Sequence, residues 1–255
     1  MDARIITYGY DADVAHWTRP AGQNTVRAHA QNLINDFTIL RRTTRSPGRP
    51  IIFVAHSLGG LVCQEALLVC LNPTEEYHRD ILASTRGVAF LGTPHAGSGL
   101  QRFSSAVADI INLCPIKKPN KDILEVLNRH SQVLANTKDG FLTMVRTRKE
   151  NHLPTIRLHT FVEELPVTAL GHVSICSFVN IYSTKQYLNY SLQLVVTPDS
   201  AKISGYNSNT IPANHMDMTK FAAKSDIGYE RVSGILKIWT SELRFTEGTV
   251  PDKAT

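Results

Sequence analysis

The stretch IIFVAHSLGG, residues 51–60, decides how the chain folds. Ile51, Ile52, Phe53 and Val54 are apolar on both faces, which suits a strand in the middle of a parallel sheet. The turn His56-Ser57-Leu58-Gly59-Gly60 leads into a helix predicted from about Leu61 to Cys70, which Asn72-Pro73 stops. Upstream, RIITY at residues 4–8 reads as a buried strand. Asn24 can cap a helix whose apolar face is Val26, Ala30, Leu33, Ile34, Phe37 and Leu40, and residues 46–50 (SPGRP) break it. Downstream, GVAFL at 87–91 is a third strand, and Leu100, Phe103, Val107, Ile110 and Ile111 form another helical face. After a Lys/Pro loop at 115–119 come a helix over 121–146, a strand over 156–162 and a short strand over 194–196. The last helix carries Val232, Ile235, Leu236, Trp239 and Leu243 on one face, and the tail beyond Thr246 frays. Strands alternating with helices predict an α/β fold: a mostly parallel sheet with helices on both faces. Residues 1–246 read as a single domain and 247–255 as a flexible tail.

Composition agrees with a folded domain. The 255 residues are 42% hydrophobic and 19% charged, enough apolar material for a core and too little charge for a disordered chain. Twenty-seven basic against 22 acidic residues leave a net charge of +5. The basic residues are scattered apart from Lys117-Lys118 and Arg146 to Lys149, so no nucleic-acid arm is expected, and 146–149 reads as a solvated helix end. There is no apolar run long enough to span a bilayer and no secretory layout at the N-terminus. Cys63, Cys70, Cys114 and Cys176 form no metal-ligand spacing and read as reduced thiols of an intracellular protein.

A serine between a buried strand and a helix, flanked by small residues, has the layout of a nucleophile elbow. The strained turn tolerates only small neighbours, and the helix aims its positive end at the hydroxyl. The Leu58 amide would donate to the oxyanion of an acyl intermediate. The usual Gly-x-Ser-x-Gly has Ala55 in its first position here.

AHSLGG at 55–60, FLGTPHAGS at 90–98, TFVEELP at 160–166, VVTPDSA at 195–201 and NHMDMTKF at 214–221 occur in this order. Together they resemble the serine-active-site lipase-like α/β hydrolases, from Arg4 to about Leu243. In fungi these often precede nucleotide-binding or ankyrin-repeat regions. The resemblance implies an α/β-hydrolase-like fold, an acyl ester or lipid substrate, and fused signalling domains in some members. It also implies links to mitochondrion, endoplasmic reticulum or peripheral membrane for some, against a cytoplasmic default.

In this fold the triad runs Ser, then acid, then His. His215 precedes the last helix, where the base belongs. His95 is its rival, for which the resemblance suggests a pocket-shaping role. His56 neighbours the serine and is expected to point away from it, as a pocket residue that supports the site from behind. Glu163 ends the 156–162 strand and is the first choice of acid; Asp199 is the alternative and Glu164 the third. No cofactor or metal is expected.

Two departures stand out. Only about one strand and one helix precede Ser57, and no His-Gly or Gly-Gly pair lies there to supply a second oxyanion amide. The expectation is a domain that starts one or two strands late and catalyses poorly, since one lost donor costs roughly 3–4 kcal/mol. The other departure is the 21-residue stretch at 173–193, which interrupts the family-like run. It reads equally as a loop insertion or as a translated intron. Three functions follow in order of support: a serine esterase on lipid or acyl esters, a hydrolase-fold interaction or sensing module with weak or no catalysis, and, poorly, a nucleotide binder, since no phosphate-binding glycine motif occurs.

Overall fold

A computed structural model describes residues 3–9, 22–73, 75–95, 103, 122–167 and 194–247. The apolar runs form the strands. β1 (Ile51–His56), β2 (Thr85–Leu91), β3 (Arg157–Glu163) and β4 (Asn207–Ile211) make one sheet, all parallel, with spatial order equal to chain order. Around it lie α1 (Gly22–Thr43), α2 (Gly59–Leu71), a 3-10 turn (Glu76–His78), α3 (Arg79–Ser84), α4 (Asp122–Glu150), α5 (Pro198–Ala201) and α6 (Ile227–Glu247). The fold is α/β, as the alternation of elements predicts.

Period-two alternation along β2 divides the core. Val88 and Phe90 face one layer, where they join Ala30 and Ile34 of α1, Leu67 of α2 and Phe141 of α4. Ala89 and Leu91 face the other, with Phe161, Ile211, Met218 and the α6 residues Val232 and Trp239. A third cluster, Leu58, Leu61, Phe103, Val162, Val195, Val196 and Ala201, surrounds the turn after β1. Gly87 is small for a packing reason: a Cβ there would stand 2.5 Å from the Trp239 ring. Among the described residues, no helix is long and apolar enough to cross a membrane.

Three expectations need correction, and one strand went unread. RIITY forms no strand; residues 3–9 have neither helix nor strand, and Ile5 is 90% exposed. β1 is the outer strand of the sheet among the described residues, and RIITY is not laddered onto its open edge; an apolar segment that joins no sheet gains nothing from extending. The 194–196 run is not a strand either. Val195 and Val196 are buried in a bend that leads into α5. The fourth strand is instead NSNTI at 207–211, whose polar residues hid it: it is the outer strand next to β3, and of its side chains only Ile211 is buried. The 146–149 stretch is not wholly solvated, because Arg148 is buried and donates to the Pro154 carbonyl at 3.0 Å. Cys63 and Cys70 are free and buried. The 173–193 stretch, Cys114, Cys176 and the 247–255 tail, apart from Glu247 itself, lie outside the described residues.

Candidate active site

The ends of the strands assemble the site. The backbone ladder continues one residue past each strand: Ser57 N–H donates to the Leu91 carbonyl at 2.9 Å, Gly92 N–H to Phe161 at 2.9 Å, and Glu164 N–H to Ile211 at 3.0 Å. Ser57, Gly92 and Glu163 are thereby held in a row along the carboxyl edge of the sheet, the edge where parallel α/β sheets place their ligands.

Ser57 has φ +55°, in the left-handed region that a residue with a Cβ enters only under strain. The strain lifts the hydroxyl out of the line of β1 before α2 begins. Leu58 follows with helical angles (φ −61°, ψ −22°) as the N-cap of α2. The Gly60 and Leu61 amides donate to the Ser57 and Leu58 carbonyls at 3.1 and 3.0 Å, so it is the amides before them, of Leu58 and Gly59, that open the helix beside the hydroxyl. The elbow also dictates its small residues. A Cβ at Gly60 would lie 2.1 Å from Thr93 Oγ1, so α2 could not leave the turn against this segment with any larger residue.

His215 lies in the loop between β4 and α6, and its shape comes from Asn214. The Asn214 Oδ1 accepts the Met216 and Asp217 amides at 2.9 and 3.1 Å, and the Met218 N–H donates to the Asn214 carbonyl at 2.9 Å. This compact turn presents the imidazole back over β2. Gly92 makes room for it: its φ is +55°, and a Cβ there would stand 2.9 Å from His215 Nδ1 and 2.9 Å from Met218 Sδ.

The three side chains form one hydrogen-bonded line. His215 Nε2 lies 2.9 Å from Ser57 Oγ, and His215 Nδ1 lies 2.6 Å from Glu163 Oε2. Glu163 and His215 are 2% and 3% exposed, so the pair is screened little by water. The other carboxylate oxygen, Oε1, accepts the Val196 N–H at 3.0 Å. Both oxygens of the buried acid are thus occupied, and their geometry fixes the tautomer. An ionised carboxylate only accepts, so Nδ1 carries the proton and Nε2 offers its lone pair to the Ser57 hydroxyl. The Phe103 ring packs edge-on against His215, with centroids 5.9 Å apart, and walls the site with apolar surface.

The remaining candidates separate clearly. Asp199 is exposed in the first turn of α5 and forms no hydrogen bond or ion pair with His215 among the described residues; the same segment reaches the site through the Val196 amide and through Val195, Val196 and Ala201, which pack around the turn after β1. Glu164 points outward, with Arg231 3.4 Å away. His95 is buried beneath the site, not at the hydroxyl. Gln64 Nε2 donates to its Nδ1 at 2.9 Å, its ring stands edge-on to Phe90, and burial, reinforced by Lys138, holds its imidazole down at about 3. The His56 ring lies 4.9 Å from that of His215, and its Nε2 is 2.9 Å from the His215 carbonyl oxygen, so it sits against the base residue rather than in the line of reacting groups. Sequence reasoning did not find the parts played by the Val196 amide, the seat at Gly92 or Phe103. Gly92 lies inside the motif at 90–98, which was the one available signal. A cavity of about 230 Å³ beside the His215 loop, lined by Ile211, Pro212, Asp217, Lys220, Phe221 and Asp226 among others, contains neither Ser57 nor His215.

No family model matches the chain. It is similar to Protein SERAC1 of Bos taurus, at 26% identity over 234 residues, and to Protein SERAC1 of Homo sapiens, at 24% over 234 residues. Protein SERAC1 of Mus musculus is 24% identical over 230 residues. Each match covers 89% of this chain, and the chain spans 30% of the length of these curated relatives. By its parallel sheet and these matches, the chain is an α/β protein similar to one part of Protein SERAC1.

Proposed function

We propose that the chain is a serine hydrolase of carboxylic esters with an apolar acyl group, lipid esters included, and that Ser57, His215 and Glu163 carry the reaction. The observation behind this reading is the unbroken line from Glu163 Oε2 through the His215 ring to Ser57 Oγ, ending on a hydroxyl held at positive φ. In the first step Ser57 Oγ attacks the ester carbonyl while its proton passes to His215 Nε2. The Leu58 amide donates to the oxyanion, and buried Glu163 stabilises the imidazolium. Collapse breaks the bond to the alcohol, which leaves with the proton from His215. A water molecule then gives its proton to His215 as it attacks the acyl-serine, and the acid departs as Ser57 regains its hydrogen.

Apolar groups around this line favour an acyl substrate over a charged one. Leu58 and Phe103 are buried beside the hydroxyl and the imidazole. Leu165 and Met216, 50% and 49% exposed, follow Glu163 and His215 closely in the chain. The test is hydrolysis of a series of p-nitrophenyl esters of increasing acyl length by the purified chain and its S57A variant. The reading expects Ser57-dependent turnover that rises with acyl length. Equal background rates from both proteins, under conditions where both are folded, would instead make the chain a hydrolase-fold interaction module.

A further inference from the structure

We propose that His56 is a positioning residue for His215, one that matters most after the serine has been acylated. The proposal rests on the reading of Ser57, His215 and Glu163 as the reacting line. His56 ends β1 and immediately precedes Ser57. Its Nε2 lies 2.9 Å from the His215 carbonyl oxygen, 159 residues along the chain. A carbonyl oxygen only accepts, so His56 donates, and a neutral His56 carries its proton on Nε2. The two rings lie 4.9 Å apart, inclined by 37°. Burial and the neighbouring His215 lower the His56 imidazole to about 4, so near neutrality it is an uncharged donor that does not repel a protonated base.

This bond differs in kind from the others on His215. The contacts of Asn214 shape the loop from within, and Glu163 fixes only the ring. His56 alone, among the described hydrogen-bonding side chains, joins the His215 backbone to the strand that carries the nucleophile. In the resting site the ring also has Ser57 Oγ at 2.9 Å. Acylation removes that hydrogen, because Oγ then bears the acyl group and no longer donates. The base must hold an incoming water with Nε2 while its remaining side-chain hydrogen bonds, among the described residues, are Glu163 on the ring and His56 on the backbone. A small displacement at that stage misplaces the proton acceptor, and displacements near 1 Å cost about 10²-fold. Acylation, by contrast, begins with the Ser57 bond in place.

The experiment compares H56F, which keeps an aromatic ring without a donor, with H56Q, whose amide nitrogen extends to nearly the reach of Nε2. Pre-steady-state turnover of a p-nitrophenyl ester separates acylation, the burst, from deacylation, the later linear phase. H56F is expected to slow deacylation about tenfold or more and acylation less, with KM lowered as acyl-enzyme accumulates, while H56Q recovers most of the loss. Equal slowing of both phases, or H56Q behaving like H56F, overturns the positioning role. If the wild type shows no Ser57-dependent turnover, the reacting-line reading fails separately. The His215 ring resonances in nitrogen-correlated NMR still decide the positioning: they should shift or broaden in H56F and be retained in H56Q, and unchanged resonances in H56F overturn it.

Discussion

Replacing Glu163 by Gln exchanges one carboxylate oxygen for an NH₂ group at almost unchanged volume, so packing is kept while hydrogen bonding is not. Glu163 accepts two donors, the Val196 amide at 3.0 Å and His215 Nδ1–H at 2.6 Å. A Gln has one acceptor oxygen for these two donors. If its oxygen faces Val196, its NH₂ faces Nδ1, which must then accept; the imidazole proton moves to Nε2, and the base can no longer take a proton from Ser57. If its oxygen faces Nδ1, the NH₂ meets the Val196 N–H, and buried donors left unpaired cost about 1–3 kcal/mol each. Because both groups are almost fully buried, water cannot relieve either arrangement. The expected result is a loss of about 1–3 kcal/mol in stability, with kcat falling about 10³- to 10⁴-fold, the scale seen when a triad imidazole is trapped in the wrong tautomer. Stopped-flow release of p-nitrophenolate gives the acylation rate, and urea unfolding gives the stability. The control is D199N, which should acylate at the wild-type rate because Asp199 lies exposed and apart from the imidazole. An E163Q protein that acylates within about threefold of wild type, less than 1 kcal/mol in the barrier, would refute the reasoning.

Other substitutions test the seating of these groups. G92A forces a Cβ to 2.9 Å from His215 Nδ1 and keeps a φ of +55°, so it should lose about 1–2 kcal/mol in stability and more than about tenfold in acylation rate. G87A pushes a Cβ to 2.5 Å from the Trp239 ring; it should lower the stability measured by urea unfolding by about 1–3 kcal/mol, and a G87A/W239L double variant should lose less than the sum of its parts. Acid should destabilise the fold through two histidines. His56 and His95 titrate at about 4 and about 3 when folded, against about 6.5 when unfolded, so between these values the unfolded chain binds more protons and stability falls as pH falls. From pH 7 to pH 5 the two together predict a loss of a few kcal/mol at most, measurable by urea unfolding, and a profile flat across that range contradicts a neutral, half-buried His56 and a neutral, buried His95.

Much of this arrangement is legible in residue pattern because apolar burial writes it there. β2 and β3 announce themselves as runs buried on both faces; β1 is just as apolar in sequence, yet among the described residues it is the outer strand rather than a middle one, with Val54 53% exposed, and the elbow is marked by small residues that Thr93 enforces sterically. α6 shows through the helical spacing of Val232 and Trp239. β4 was illegible because an outer strand keeps its polar side chains, and Asn207, Ser208 and Asn209 look like a loop. Val195-Val196 misled for the opposite reason: two β-branched residues bury themselves in a bend as readily as in a strand, and their use lies in a backbone amide that carries no signature of residue type. Chain order singled out His215, and a strand end singled out Glu163. Glu163 already stood ahead of Asp199 in the sequence, though both follow apolar runs, and the geometry adds its 2.6 Å approach to His215 Nδ1. The bond from His56 was beyond the reach of pattern because it joins a side chain to a backbone oxygen 159 residues away.

The most direct measurement is covalent capture of the hydroxyl itself. The purified chain is treated with a fluorophosphonate, digested, and mapped by mass spectrometry, in parallel with its His215→Ala variant. The account predicts one phosphonylated peptide, modified at Ser57, whose formation slows by at least about 10³-fold without the imidazole. An unmodified Ser57 in the folded wild type, or labelling that proceeds equally well without His215, would contradict it.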